Sequence, residues 1–199
     1  MNIGVLGSGS VGSSLATGFA DAGYSVMIGS RDPSQGKVVE WVAGDEDQRS
    51  AGTYREAATF AEIVITAVPG SVLAETLDLA GRDSFADKIV IDTSNPIAFS
   101  EDSVVNAFGD HDSAAEYVQR ELPDARVVKA FNQIMAADMT HPERSQTTVL
   151  RIAGNDEGAK REVTGILEGF GWTVRDLGGL EKARPLEQGV VDWVRNSQK

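Results

Sequence analysis

The sequence predicts an α/β protein: a mainly parallel sheet with helices on both faces, built as a single domain over residues 1–199. Three observations carry that expectation. Short runs rich in Val and Ile alternate with longer segments of helical period, the pattern of successive βαβ units. A glycine-rich turn joins the first such run to the first helical segment. A chain of 199 residues also suits one domain, able to bury roughly 70% of the surface its unfolded form exposes.

Taken in order, strands are expected at Ile3–Leu6, Ser25–Ile28, Ile63–Val68, Lys88–Asp92, Arg126–Ala130, Thr148–Ala153 and Thr173–Asp176, with a weaker one near Ala51–Thr53. Between the first two, Val11, Leu15, Gly18, Phe19 and Ala22 recur at steps of three and four, the buried face of a helix that Gly23 then stops. Further helices are expected at Gln35–Ala43, Arg55–Phe60, Ser71–Gly81, Ser113–Glu121, Glu157–Phe170 and within Leu180–Arg195. The acidic stretch Gly44–Arg49 and the segment Pro96–Asp112 read as surface loops. Residues 146–199 read as an extension of the same sheet, since no linker, repeat or low-complexity tract marks a second domain.

Composition narrows the function. Lys plus Arg number 18 against 30 Asp plus Glu, a net charge of −12, which disfavours nucleic acid or an anionic membrane surface as main partner. There is no cysteine, so disulfides, thiolate metal sites and cysteine nucleophiles are all excluded. Two widely separated histidines leave little for a metal site. Mean hydropathy is −0.18 and no apolar run reaches the length of a membrane span. The amino terminus lacks the charged start of a signal peptide, so a cytoplasmic location is expected.

Gly7-Ser8-Gly9-Ser10-Val11-Gly12 is a G-x-G-x-x-G that follows an apolar strand and opens a helix, the context that makes this motif specific. Gly7 permits the tight turn, Gly9 lets a pyrophosphate approach the backbone, and Gly12 allows close helix–strand packing. The expected fold is therefore a Rossmann-type dinucleotide-binding one. A second strand serving NAD normally ends in an Asp or Glu that accepts from the ribose hydroxyls. Here it delivers Ser30 and Arg31, with Lys37 following, groups suited to a 2′-phosphate. NADP is the expected cofactor; the bland alternative is a surface Arg31 paired with Asp32.

Together with the phosphate loop, Ile28-Gly29-Ser30-Arg31-Asp32, Ala67-Val68-Pro69, Ile91-Asp92-Thr93-Ser94-Asn95-Pro96 and Val128-Lys129-Ala130-Phe131-Asn132 follow one another in a familiar order and spacing. As a set they resemble the NADP oxidoreductase, coenzyme F420-dependent family, whose relatives include the reductase domain of the six-transmembrane metalloreductases. The resemblance extends over nearly the whole chain, down to the closing segment Asp176–Glu187. It implies NADP(H) across the carboxyl edge of the sheet, with Ser8, Ser10 and Val11 at the phosphates. Ser30 and Arg31 would take the 2′-phosphate, assisted by Ser34 or Lys37. Ala67, Val68 and Pro69 would border the nicotinamide-side ribose, with Asn95 beyond them, and Ala130, Phe131, Asn132 and Gln133 would bound the transfer pocket. Phe131-Asn132-Gln133-Ile134 departs from the deazaflavin reductases and leaves the hydride acceptor, coenzyme F420 or a flavin, undecided.

Hydride transfer to a flavin or deazaflavin asks mainly for alignment, whereas carbonyl or imine reduction asks for a positioned acid. Lys129, at a strand end facing the ligand edge, is the one catalytic candidate as proton donor, with a structural role the alternative. His111 reads as a solvated loop histidine, and so does His141, unless it reaches the pocket mouth. Phe131, Ile134, Met135 and Met139 could wall a planar acceptor or form a short core-packed helix; Trp41, Trp172 and Trp193 read as structural. The leading expectation is an NADPH-dependent reductase of F420 or a flavin. Two alternatives stand beside it: a reductase of a small carbonyl or imine, and a non-enzymatic NADP-binding redox sensor. A homodimer is possible, being the commonest arrangement among soluble homo-oligomers, and the sequence does not decide it.

Overall fold

The computed structural model describes residues 1–100 and 103–197. The first βα units run β1 (Asn2–Leu6), α1 (Ser10–Asp21), β2 (Ser25–Gly29), α2 (Gly36–Ala43), β3 (Arg49–Gly52), α3 (Tyr54–Phe60), β4 (Ile63–Thr66), α4 (Leu73–Ala80) and β5 (Ile89–Asp92). After them come a hairpin of β6 (Ile97–Phe99) and β7 (Val104–Asn106), then α5 (Ala114–Glu121) and β8 (Arg126–Lys129). The chain closes with β9 (Val149–Gly154), α6 (Glu157–Gly169), β10 (Thr173–Asp176) and α7 (Ala183–Ser197).

Eight strands form one sheet in the order β10-β9-β8-β5-β4-β1-β2-β3. All neighbours are parallel except β8 and β9, where Lys129 faces Ala153 in an antiparallel pair. β1 lies between β2 and β4, with Val5 opposite both Ile28 and Ile65. The chain thus builds outward to β3, then returns to the far side of β1. The turns after β1 and β4 diverge there and open a crevice at the carboxyl ends, the usual ligand position in such sheets.

The central strands β1, β4, β5 and β8 are buried on both faces, so they read as apolar runs rather than alternations. Ile63, Ile65, Ile89, Ile91 and Val128 pack with Leu15 and Phe19 of α1 and Val163 and Leu167 of α6. Val64, Val90 and Val127 point the other way, toward Ala57 of α3, Leu77 of α4 and Val118 of α5. Fully burying such a side chain is worth roughly 1.5–3 kcal/mol, enough to fix the strand register.

Three helices around the sheet begin on side-chain caps that their sequences mark. Thr53 and Glu56 form a reciprocal capping box at α3, Ser113 accepts from Glu116 N–H at α5, and Asp156 accepts from Ala159 N–H at α6. α1, like α2, starts with no side-chain cap and no acidic residue in its first turn; its N-cap is Gly9. Gly23 (φ +87°) does end that helix region, although Val11 is only partly buried and Ala22 is exposed.

Two loop expectations need correction. Pro96–Asp112 contains the hairpin β6–β7, with Phe99 opposite Val104, and α7 holds it through Arg195 Nε, which donates to Val104 O at 2.8 Å. Strands of three residues are too short for their alternation to register in a sequence. Arg49, placed in the acidic loop, instead starts β3, where its guanidinium stacks on Trp41 and pairs with Asp21 at 2.8 Å.

Candidate functional site

A cleft of about 440 Å³ lies at the carboxyl ends of β1, β2 and β4. Gly7, Ser8 and Gly9 form its floor, Ser30, Arg31, Gln35 and Lys37 one end, and Ala67, Val68 and Pro69 the opposite rim. The glycine turn has two distinct faces. Gly7 sits at φ +127°, and a Cβ there would run into Ala67 O; a Cβ on Gly12 would run into Gly7 O. Those two positions are packed shut. A Cβ on Gly9, in contrast, would meet nothing within 4 Å. The first bond inside α1 is Ser13 N–H to Gly9 O at 2.9 Å, so the amides of Ser10, Val11 and Gly12 precede the helical ladder and are unbonded within it. An anion laid over Gly9 finds those donors and the positive end of the helix.

The other end of the cleft carries positive charge. Arg31 and Lys37 are exposed and, among the described residues, neither makes an ion pair. Asp32, the expected partner of Arg31 in the bland reading, instead accepts from Ser34 N–H at 3.0 Å and Ser34 Oγ–H at 2.6 Å. Ser34 is therefore engaged with Asp32 and does not line the cleft, whereas Ser30 is buried at its base.

Further along the edge, the turns after β5 and β8 are tied together. Asn95 Nδ2 donates to Asn132 O at 2.9 Å, and Asn132 Nδ2 donates to Asn95 Oδ1 at 3.0 Å and to Leu186 O at 3.2 Å. Gly70 N–H reaches Asn95 O at 3.3 Å, which joins this pair to the Pro69 rim of the cleft. Between Ala130 and Asn132 the backbone closes an i to i+2 hydrogen bond of 2.8 Å with Phe131 at φ +63°, the features of a γ-turn that L-residues rarely adopt. Phe131 is a correction. The turn drives its ring into the sheet core, only 1% exposed, where Met139 is also buried, so neither forms a free wall for a planar acceptor. Ala130 is likewise fully buried, and Met135, at 64% exposed, points outward.

Lys129 is the second correction. Its side chain is fully buried, and Nζ donates to Asp92 Oδ2 at 2.7 Å, to Glu187 Oε1 at 2.7 Å and to the Ser94 carbonyl. An ammonium has three donors, and all three are used. Burial opposes its charge, but Asp92 and Glu187 outweigh burial and raise its pKa. Burial also pushes the Glu187 carboxyl upward, against the pull of Lys129. Lys129 is thus a charged internal tie rather than an accessible proton donor. Thr66 and Ser94 complete the cluster, donating to Asp92 Oδ1 at 2.6 and 2.8 Å.

Several residues of the site were not expected. Gln35, Tyr54, Val72, Glu75, Thr76 and Leu79 all line the cleft. Tyr54 belongs to α3 and Glu75, Thr76 and Leu79 to α4, helices whose apolar periodicity gives no sign that they also border the cleft. Glu187 was hidden in an amphipathic segment, where a carboxylate reads as solvated. His111 is exposed, and His141 Nδ1 lies 3.2 Å from Glu143; neither histidine lines the cleft. Trp172 is buried with Nε1 donating to Met139 O at 2.8 Å, and Trp41 Nε1 donates to Thr17 at 3.0 Å, both structural as expected. Trp193 is exposed on α7. Among the described residues no group of acidic or histidine side chains could hold a metal, and no helix is long and apolar enough to cross a membrane.

Residues 2–96 match the family model described as NADP oxidoreductase coenzyme F420-dependent. The F420-dependent NADP reductase of Methanothermobacter marburgensis is 35% identical over 94% of this chain and 88% of its own length. Metalloreductase STEAP3 of Rattus norvegicus is 33% identical over 93% of this chain, which spans only 35% of that protein. A crystal structure from Arthrobacter sp. FB24, provisionally designated an F420-dependent NADP-reductase, superposes with a TM-score of 0.90 at 33% identity, covering 97% of this chain and 91% of that one. An imine reductase of Streptomyces aurantiacus shares the fold, with a TM-score of 0.72 at 18% identity over 97% of this chain and 62% of that one. The uncapped α1 start, the Ser30–Arg31 strand end and the paired Asn95 and Asn132 turns therefore lie within a likeness that runs nearly end to end, and the chain belongs to the NADP oxidoreductase, coenzyme F420-dependent family.

Proposed function

We propose that this oxidoreductase binds NADP(H) in the cleft and exchanges hydride with a deazaflavin, coenzyme F420, or with a flavin. The observation that carries the reading is the pairing of two features in one cleft: the open face over Gly9 and the unpaired cations Arg31 and Lys37 beside Ser30. In a chain of net charge −12 those cations are locally exceptional. The residues fit the cofactor. Gly9 with the amides of Ser10, Val11 and Gly12 would hold the pyrophosphate, and Ser30, Arg31 and Lys37 the 2′-phosphate. Ala67, Val68 and Pro69 would border the nicotinamide-side ribose, with Asn95 and Asn132 beyond. The bound dinucleotide supplies the hydride.

The engagement of Lys129 favours a delocalised acceptor. Reduction of a carbonyl leaves an alkoxide that needs a proton within hydrogen-bond reach, and the strand-end ammonium is spent on Asp92, Glu187 and Ser94. A flavin or deazaflavin spreads the charge over its own rings and asks the protein to align it. Anaerobic addition of NADPH, with coenzyme F420, FMN and FAD as parallel acceptors and NADH as control, tests the reading. Reduction of one of these acceptors, faster with NADPH than NADH, is expected. Absence of turnover with all three despite tight NADPH binding would overturn it, and would return the small-carbonyl reductase and the redox sensor as readings.

A further inference from the structure

Gln35, at the start of α2, reaches back over the end of β2. Its Nε2 donates to Ser30 Oγ at 2.9 Å and to Asp32 O at 2.9 Å, with Ser8 Oγ at 3.4 Å. The orientation of this amide is fixed chemically. A backbone carbonyl only accepts, so the group facing Asp32 O at that distance must be the nitrogen. Gln35 makes no cap bond to its own helix, so its side chain is free for this task.

The consequence falls on Ser30. A hydroxyl has one proton and two lone pairs. Here the Asp32 N–H donates to Ser30 Oγ at 3.2 Å and Gln35 Nε2 donates at 2.9 Å, so both lone pairs are taken. The proton has only long contacts, to Asp32 O at 3.2 Å and Ser8 Oγ at 3.4 Å. Ser30 is left as a donor in want of a good acceptor, and it sits buried at the end of the cleft beside Arg31.

We infer that Gln35 determines cofactor specificity by setting the polarity of Ser30: it saturates the hydroxyl as acceptor, so that Ser30 donates to a ribose 2′-phosphate and cannot accept from a ribose 2′-hydroxyl. The inference rests on the proposal that the cleft takes NADP(H). A phosphate oxygen accepts and carries charge, which strengthens the Ser30 bond; a ribose hydroxyl accepts from Ser30 only as a neutral oxygen and finds no lone pair there to take its own proton. Arg31 and Lys37 supply attraction, while Gln35 supplies discrimination. It acts through Ser30 and is a positioning residue.

Equilibrium dissociation constants for NADPH and NADH, measured on the full chain, test this in wild type, Gln35→Met, Gln35→Ala, Ser30→Ala and the Ser30→Ala/Gln35→Met double variant. Wild type is expected to prefer NADPH. Both Gln35 variants should lose about fivefold of that preference, the scale of one hydrogen bond. In the Ser30→Ala background Gln35→Met should change the preference no further. A wild type without preference would overturn the cofactor reading and this inference with it. A wild type that prefers NADPH, with Gln35 variants keeping the full preference, would overturn the inference alone. An equal loss in both backgrounds would do so too, because Gln35 would then act independently of Ser30.

Discussion

Lys129, at the end of β8, donates at 2.7 Å to Glu187 of α7, and neither side chain has any solvent exposure. Glu187 in turn accepts from the Ala114 and Ala115 amides at 2.8 and 3.2 Å, at the N-terminus of α5. One buried carboxylate thus joins the last helix, an earlier helix and the carboxyl edge of the sheet. Lys129→Met would leave Asp92 and Glu187 buried without their cation, a loss of about 3–5 kcal/mol. Glu187→Gln keeps an acceptor for the amides and should cost less. Urea unfolding of the two variants checks the ranking. Equal losses would mean that the Glu187 charge matters as much to the cluster as the ammonium does.

The glycine turn should separate folding from binding within three residues. Gly7→Ala forces a side chain against Ala67 O at a backbone conformation L-residues rarely adopt, and should lower the thermal midpoint clearly. Gly9→Ala places its methyl in open space and should leave the midpoint near wild type while abolishing dinucleotide binding. Thermal melts with and without NADPH distinguish the two. If Gly9→Ala still gains stability from added NADPH, the pyrophosphate does not lie over Gly9.

Arg31 and Lys37 should contribute separably to NADPH affinity. Arg31 offers paired donors, so Arg31→Ala should weaken NADPH about tenfold or more, with little effect on NADH. Lys37→Ala removes a single point charge and should weaken it less. Both losses should shrink as salt is raised, since exposed cations are screened. Titrations at two ionic strengths measure this; an equal weakening of NADPH and NADH by Arg31→Ala would place the side chain away from the 2′-phosphate.

The sequence made the sheet legible because its central strands are apolar on both sides and its turns are marked by glycine. The Gly7–Gly12 turn and the Ser30–Arg31 strand end could be read because the phosphate site proposed for them would demand a specific local backbone and cations. Less was readable where distant segments meet. Glu187 looks solvated until α7 is laid against α5, and Phe131 looks like a pocket wall until the γ-turn sends its ring into the core. Gln35 was missed for the same reason: its partners Ser8 and Ser30 lie on other strand ends. Local chemistry shows in sequence, whereas a side chain whose role is to hold another shows only in three dimensions.

The seam between α5 and α7 makes a final prediction about acid. Arg120 donates to both oxygens of Asp112 at 2.9 and 2.6 Å, and Arg184 donates to both oxygens of Glu116 at 2.8 and 2.6 Å. At Asp112 the Arg120 bonds outweigh burial and hold the carboxyl below its ordinary value of 3.8. At Glu116 burial pushes up, but the bonds from Arg184 and Ser113 exceed it and hold the carboxyl below 4.5. Carboxyls lowered in the folded state stabilise it above their ordinary values, and that stabilisation is lost as pH falls through the folded values. The gap in thermal midpoint between wild type and Arg184→Met should therefore be widest near neutrality and close in acid. Because α7 also presents Leu186 O to Asn132, loosening this seam should reach the carboxyl edge of the sheet as well. Arg184→Met should accordingly slow hydride transfer at neutral pH more than it weakens NADPH, since neither Arg184 nor Asn132 lines the Arg31 end of the cleft. A midpoint gap independent of pH would show that Arg184 acts by packing rather than by charge.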